Sequence, residues 1–115
     1  MALSELYTQS GVTIGATEYS LTNNSTSIAT QTTDAFICVF LESTAMAAGD
    51  EFEIALREKV TSGGTQRRII IANLVGVQFE PLMIPSFLVL HGWDITVKKI
   101  AGTDRAFSWS IRAVS

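Results

Sequence analysis

His91 is the only histidine in the chain, so any Ser-His-Asp mechanism would have to use it. It stands in the sequence Leu90-His91-Gly92-Trp93-Asp94, where Asp94 is near enough to orient the imidazole. No serine occupies a Gly-x-Ser-x-Gly elbow, the usual setting of such a nucleophile. The acidic residues gather at 51–58 on one predicted strand, which does not suit two carboxylates facing each other across a cleft. We therefore predict a structural histidine beside a glycine bend, no catalytic residue and no enzyme activity.

The residues that bind metals in proteins are scarce in this sequence. A single cysteine, Cys38, and a single histidine are too few for a Cys/His zinc cluster. Residues 49–53, Gly-Asp-Glu-Phe-Glu, come nearest to a calcium loop, but alternating acids are also typical of a solvated strand face. We predict no metal and no cofactor. Because Cys38 lies in an apolar run, we predict that it is a buried, unreactive thiol.

Trp93 and Trp109 are the residues that could stack on a sugar ring. They lie on segments predicted to be neighbouring strands joined by a turn at Gly102. Both occupy the apolar phase of their segments, which predicts core residues. The alternative is a β-sandwich module that binds glycans or a host surface through one of the two indoles.

Charge and hydropathy argue against nucleic acid and membrane partners. The chain has 8 basic and 11 acidic residues, a net charge of −3, and basic pairs only at 67–68 and 98–99. Nucleic-acid binding needs a concentrated positive patch. No apolar stretch reaches the roughly 18 residues of a membrane span. The first residues lack the layout of a signal peptide, so we expect synthesis in the cytoplasm.

The segments that would position any site have the sequence patterns of short strands. Phe52, Ile54 and Leu56 alternate with charged residues, as in a half-buried antiparallel strand. Residues 61–65 predict a hairpin turn into a second strand at 66–75. Residues 35–42 are continuously apolar, which predicts a strand buried on both faces. Further strands are expected at 12–14, 18–21, 87–90, 93–97 and 107–113.

These patterns predict an all-β chain of about seven or eight strands, folded as an antiparallel β-sandwich, of which a jelly roll is one form. Residues 1–10 are expected to form a short arm or helix, and residues 11–115 a single domain. Residues 22–33 read as a long polar loop with a short strand, or as an edge strand of hydroxyl residues. The two prolines at 81 and 85 predict an extended connection between sheets.

Only 17% of the residues are charged and 47% are hydrophobic, which fits a surface partly covered by neighbours or a hydroxyl-rich β-domain. Three segments are candidate contacts for another protein: the N-terminal arm, the polar segment and the proline segment. Their alternatives are a frayed terminus, a solvated loop and a crossover that fills its own core. The candidate contact residues are Leu3, Leu6, Tyr7, Ile28, Pro81, Leu82, Met83, Ile84 and Pro85.

The last third of the chain resembles small proteins encoded among the head genes of tailed bacteriophages. The resemblance rests on PSFLVLHGWDITVKK at 85–99, AGTDR at 101–105 and WSIR at 109–112, and on FEI, EKV and GTQR between residues 52 and 67. It implies a capsid decoration, or cement, protein: a β-sandwich or jelly roll that binds outside the icosahedral shell and bridges capsomers.

The same resemblance implies the major capsid protein as partner, the virion capsid surface as location, and no catalytic motif. We expect the chain to act as a homodimer or another small homo-oligomer. A tail or connector component with a similar sandwich is the other structural role compatible with the sequence.

Overall fold

The computed structural model describes residues 3–114, which form eight strands and no helix. The strands are β1 (Leu3–Ile14), β2 (Tyr19–Ser20), β3 (Ala35–Glu42), β4 (Glu51–Lys59), β5 (Gln66–Val75), β6 (Leu82–Val89), β7 (Asp94–Ala101) and β8 (Arg105–Val114). The predicted all-β class is confirmed. Within this part of the chain no helix is long and apolar enough to cross a membrane.

The strands form two antiparallel sheets. The first sheet has the order β1-β8-β3-β6 and the second sheet the order β2-β7-β4-β5. The first strand therefore pairs with the eighth, the second with the seventh, the third with the sixth and the fourth with the fifth. A long antiparallel hairpin wrapped into two sheets gives this order, which is that of a jelly roll. The predicted β-sandwich is confirmed in its jelly-roll form.

The core lies between the two sheets and is built from the alternating inner faces of the strands. Phe52 of the second sheet meets Phe107 of the first sheet edge to face, with ring centroids 4.8 Å apart. Such a contact adds about 0.5–1.5 kcal/mol to the effect of burial. The alternation predicted over residues 51–60 is confirmed at its start, where Phe52 and Ile54 are buried and Glu51 and Glu53 are not. It is wrong at Val60, which was expected on the buried phase but is 82% exposed and lies after the end of β4.

The N-terminal residues differ from the predicted arm or short helix. Met1 and Ala2 of that segment lie outside the described residues, and Leu3 to Ser10 belong to β1. The helix alternative is wrong for the described part because β1 pairs with β8 from Leu3 onward, a partner more than a hundred residues away in sequence. The helical spacing of Leu3, Leu6 and Tyr7 was outweighed by this long-range pairing.

The proline segment is also a strand, not the predicted connection between sheets. Leu82–Val89 forms β6, at the edge of the first sheet, where it pairs with β3 alone. Pro85 lies opposite the place where the β3–β6 register shifts, between Ile37 and Val39. Proline is tolerated in a sheet at an edge and at a bulge, and both conditions hold here.

The polar segment 22–34 is a loop. It contributes two isolated bridges, Ser20 with Ser25 and Gln31 with Trp93, but no strand of the described chain. The buried Asp94 holds the loop by accepting hydrogen bonds from Thr22 Oγ1 at 2.7 Å and from the Ala29 backbone N–H at 2.8 Å. The loop predicted over residues 22–33 is thus confirmed, but in place of the short strand expected within it the described chain has isolated bridges, and the edge-strand alternative is wrong.

The charged outer face of β4 is neutralised within the chain. Arg57 and Arg68 lie directly opposite each other on β4 and β5, where two like charges repel. Glu18 lies between them, 2.6 Å from Arg57 Nη2 and 3.1 Å from Arg68 Nε, and also accepts a hydrogen bond from Thr96. Partial burial alone would raise the pKa of the Glu18 carboxyl. The hydrogen bonds from Arg57, Thr96 and Arg68 and the charge of Arg57 outweigh it and lower the pKa to about 2.

This depressed pKa predicts a loss of stability in acid. The Glu18 carboxylate contributes stability above its ordinary pKa of 4.5, and the contribution is lost as the pH falls through about 2. After solvent screening we expect about 1–2 kcal/mol of unfolding free energy to be lost between pH 5 and pH 2 through this group. Urea unfolding at both pH values should show a smaller loss for Glu18→Gln than for the unmodified protein. Equal losses would contradict the assignment.

Candidate protein-contact face

The structure does not bring the candidate catalytic residues together. Both carboxylate oxygens of Asp94 accept hydrogen bonds from Thr22, Ala29 and the Ile95 backbone N–H, and the described residues show no bond from it to His91. The carbonyl of His91 accepts a hydrogen bond from the backbone N–H of Lys59 at 2.9 Å, which fits a structural position after β6.

The acidic segment 49–53 serves the fold. Asp50 is buried and accepts hydrogen bonds from Arg105 Nε at 2.6 Å and from the backbone N–H groups of Thr103 and Ala47. These bonds, with that from Arg105 first, lower the pKa of the Asp50 carboxyl to about 2. The residue thereby ties the β3–β4 turn to the β7–β8 turn. Within residues 3–114 no group of three or more His, Cys, Asp or Glu side chains could hold a metal ion.

Both tryptophans are core residues, as predicted. Trp93 has no exposed surface, and its indole N–H donates to the Thr33 carbonyl at 2.7 Å. Trp109 is 3% exposed and donates to the Leu21 carbonyl at 3.0 Å. They are not on neighbouring strands. Trp93 stands just before β7, in an isolated bridge with Gln31, and β7 and β8 belong to different sheets. Neither indole has a free face on which a sugar could stack.

Cys38 corrects another prediction. It lies on β3 but on the outer face of the first sheet, where it is half-buried, and the core lies beneath Ile37 and Val39 on either side. The apolar run therefore does not place the thiol in the core, since alternate residues of a strand point to opposite faces.

The outer face of β3 is apolar although no other strand of the described chain packs over it. The inner residues Ile37, Val39 and Leu41 are fully buried. On the other face Phe36 is 51% exposed, and Cys38 and Phe40 are half-buried. The prediction that this strand is buried on both faces is therefore wrong for the chain by itself. Strands of this composition are typically covered on both faces, whereas β3 is covered on its inner face alone.

Three neighbours extend this exposed surface into a row across the first sheet. Leu3 of β1 lies opposite Val114 of β8, Val114 lies opposite Phe36 of β3, and Phe36 lies opposite Leu88 of β6. Directly opposed residues point to the same face, so the four side chains adjoin. Leu3 is 77% and Leu88 66% exposed. We call these four residues the apolar stripe; it spans all four strands, roughly 15–20 Å.

A groove lies beside the apolar stripe. It has a volume of about 360 Å³ and is lined by ten residues of β1, β3, β6 and β8: Leu3, Ser4, Glu5, Phe36, Cys38, Phe40, Ser86, Arg112, Ala113 and Val114. The Arg112 guanidinium lies 3.8 Å above the Phe40 ring and donates to Ser110, which donates in turn to Glu5. Arg112, the only basic residue that lines the groove, is thus held flat against the groove wall. The rest of the groove is mainly apolar.

The structure distributes the predicted contact residues unevenly. Leu3 belongs to the apolar stripe, and Met83 is exposed on the same face, opposite Phe40. Pro81 and Pro85 are exposed along the β6 edge, and Ile28 is half-buried in the loop. The remaining four, Leu6, Tyr7, Leu82 and Ile84, are half-buried and pack against the core. Tyr7 packs edge to face on Trp93 at 6.1 Å.

Sequence reasoning missed Phe36, Leu88 and Val114. Phe36 and Leu88 lie in apolar runs, and Val114 follows the alternating segment 107–113. The exposure of each depends on which phase of its strand faces the core. The available signal was that residues 35–42 are apolar on both faces of the strand. That pattern was interpreted as burial of both faces within the chain.

A second exposed apolar feature lies at the other end of the sandwich. Residues 76–81 join β5 to β6, and Phe79 in this loop is 92% exposed, with Val77 beside it also exposed. The apolar stripe lies where β1 and β3 begin, whereas this loop lies where β3 ends, next to Leu41. The two apolar features therefore stand at opposite ends of the first sheet.

No protein-family model and no curated protein matches the chain. Among solved structures it is similar to the CBM22-1 and GH10 modules of the Clostridium thermocellum N-terminal endo-1,4-β-D-xylanase 10B, determined in complex with xylohexaose. The identity is 10% and the TM-score 0.49; the match covers 97% of this chain and 29% of that one. A likeness of this degree carries no argument about what this chain binds.

Proposed function

We propose that this chain is a non-catalytic capsid decoration protein of a tailed bacteriophage, which docks on the major capsid protein through the outer face of its first sheet. The observation that carries the proposal is the apolar stripe, which crosses four strands with Leu3, Phe36 and Leu88 exposed and Val114 half-buried. The resemblance of residues 85–112 to phage head proteins supports the same role.

Exposing this apolar surface to water costs free energy. Exposed contiguous apolar patches on soluble proteins mark interaction sites. Complete burial of one Leu or Phe side chain is worth about 1.5–3 kcal/mol, so docking Leu3, Phe36 and Leu88 would supply several kcal/mol toward association. A flat sheet face suits a flat partner surface better than it suits a small molecule.

The bridging part of the role finds support in the second apolar feature. A cement protein must touch two subunits, and so it needs contact surfaces that are well separated. The apolar stripe and Phe79 stand at opposite ends of the first sheet. Contacts at both ends would place the sandwich across a seam between capsomers.

The experiment that tests the role is cryo-electron microscopy of the virion that carries this gene. We expect density for the jelly roll at fixed positions outside the shell, with the first sheet against the capsid protein. Density confined to the tail or the connector would overturn the decoration role and favour the other structural role. Absence of the chain from the particle would overturn both.

A further inference from the structure

Phe79 is the most exposed large apolar side chain among residues 3–114. It lies in the loop of residues 76–81 that joins β5 to β6, and Val75 at the end of β5 and Val77 in the loop are exposed as well. Clusters of exposed apolar side chains on soluble proteins mark interaction sites. Because almost all of the Phe79 ring is exposed, it fills no hollow of its own chain.

The groove beside the apolar stripe has the size and the lining to accept a phenyl ring. Its volume is about 360 Å³, and Leu3, Phe36, Phe40 and Val114 supply apolar walls. An engineered apolar cavity of about 150 Å³ is already large enough to bind benzene. The groove therefore has room for a phenyl ring together with part of the chain that carries the ring.

The charges next to the loop and the groove are complementary. Glu80 follows Phe79, is exposed, and forms no salt bridge with any described residue. In the groove, Arg112 Nε donates to Ser110, and no described residue accepts a hydrogen bond from the two Nη groups of Arg112. Glu5 also lines the groove, and its carboxylate accepts a hydrogen bond from the same Ser110 hydroxyl. A carboxylate that enters beside a phenyl ring would find the Arg112 Nη groups as donors.

We propose that Phe79 of one copy of this chain inserts into the groove of a second copy, with Glu80 of the first copy against Arg112 of the second. The loop and the groove lie toward opposite ends of the first sheet, so the contact joins copies head to tail. In such a contact two different surfaces meet, and each copy keeps one of each for the next copy. Contacts of this kind generate rings or filaments.

This contact belongs to the free chain and needs no capsid. It covers part of the face proposed to dock on the capsid protein, since Leu3, Phe36 and Val114 belong both to the apolar stripe and to the groove. Self-association therefore shields the apolar face before docking and competes with docking. The two contacts are separable because self-association is measured on the purified chain alone.

Small-angle X-ray scattering of the full chain over a concentration series tests the contact. One aromatic anchor and one ion pair bury far less than the roughly 1,200 Å² of a standard interface, so we expect association only at about 0.1–1 mM. Phe79→Ala should raise the dissociation constant at least about 30-fold, because it removes the central anchor.

Three further variants examine the charges and the specificity of the effect. Glu80→Lys should raise the dissociation constant about 5-fold, because it replaces an attraction to Arg112 by a repulsion. Glu5→Gln should lower the constant, because it removes a carboxylate that competes for the same guanidinium. Val60→Ala truncates an exposed apolar side chain in the β4–β5 turn and should leave the constant unchanged.

Mixing two variants distinguishes the head-to-tail contact from a two-fold dimer. Phe79→Ala keeps the groove and loses the inserting ring, whereas Phe36→Lys keeps the ring and blocks the groove. Each variant alone should stay monomeric, and an equal mixture should form pairs and nothing larger. A two-fold contact through either surface alone would not show this complementation, because it joins two equal surfaces.

A scattering mass of one chain at every concentration up to about 1 mM would overturn the proposal. Self-association that Phe79→Ala leaves unchanged would overturn it as well, and so would a mixture of the two variants that stays monomeric. None of these results decides whether the chain docks on a capsid, which is measured with particles.

Discussion

Phe36→Lys is expected to weaken the proposed attachment to the capsid shell strongly while the jelly roll stays folded. Phe36 is the central exposed member of the apolar stripe, flanked by Val114 and Leu88. The change removes a buried aromatic anchor from the docked state and places a charge in its position. Such central anchors are worth about 2 kcal/mol or more, so affinity should fall by at least about 30-fold. The measurement is co-sedimentation of the purified chain with particles that lack it.

Two controls separate docking from folding. Lysine on an exposed strand position costs less than about 1 kcal/mol of unfolding free energy, which urea denaturation can verify. Val60→Lys makes a similar change at an 82% exposed residue in the β4–β5 turn, outside the first sheet, and should sediment like the unmodified chain. Equal losses for Phe36→Lys and Val60→Lys would show that added charge, and not the apolar stripe, governs attachment.

Cys38 offers a direct readout of the same face. It is the only cysteine in the chain, and it lines the groove between Phe36 and Phe40. A maleimide should therefore modify it in the free protein and react more slowly once the face is covered. An unchanged rate in the particle-bound chain would place the contact elsewhere.

The sequence predicts the strands that have a strong local pattern, either alternating or continuously apolar, because such a pattern is visible in neighbouring residues. The hairpin at 61–65 and its two flanking strands are found at the predicted positions, and so is the continuously apolar strand at 35–42. The two-layer class follows from the number of short alternating segments and the turns between them. None of these inferences needs to know which strand neighbours which.

The apolar stripe could not be predicted because it depends on non-local pairing. Leu3 and Leu88 share a face only because β8 and β3 lie between β1 and β6. The same dependence explains the wrong placement of Trp93 and Trp109 on neighbouring strands. Consecutive strands usually lie side by side, but in a jelly roll most consecutive strands cross between the sheets.

Trp93→Ala is expected to be the most destabilising single substitution considered for this chain. Trp93 is the largest fully buried side chain; it packs on Tyr7, and its indole N–H is bonded to the Thr33 carbonyl. Truncation leaves a cavity and an unpaired carbonyl, which together cost about 3–5 kcal/mol. The total free energy of unfolding of a small domain is about 5–15 kcal/mol. Urea denaturation followed by far-UV circular dichroism should show a midpoint lower by about 1 M or more.

Phe79→Ala is the matched control, since it truncates an aromatic side chain that is 92% exposed. Its unfolding free energy should change by less than about 0.5 kcal/mol, because little of the ring is buried in the fold. The contrast tests the roles assigned to the aromatic residues: Trp93 stabilises the interior, and Phe79 is available to a partner. If Trp93→Ala lowered the free energy of unfolding as little as Phe79→Ala, Trp93 would not be a core residue. A surface role for the indole, such as stacking on a sugar, would then again be a candidate.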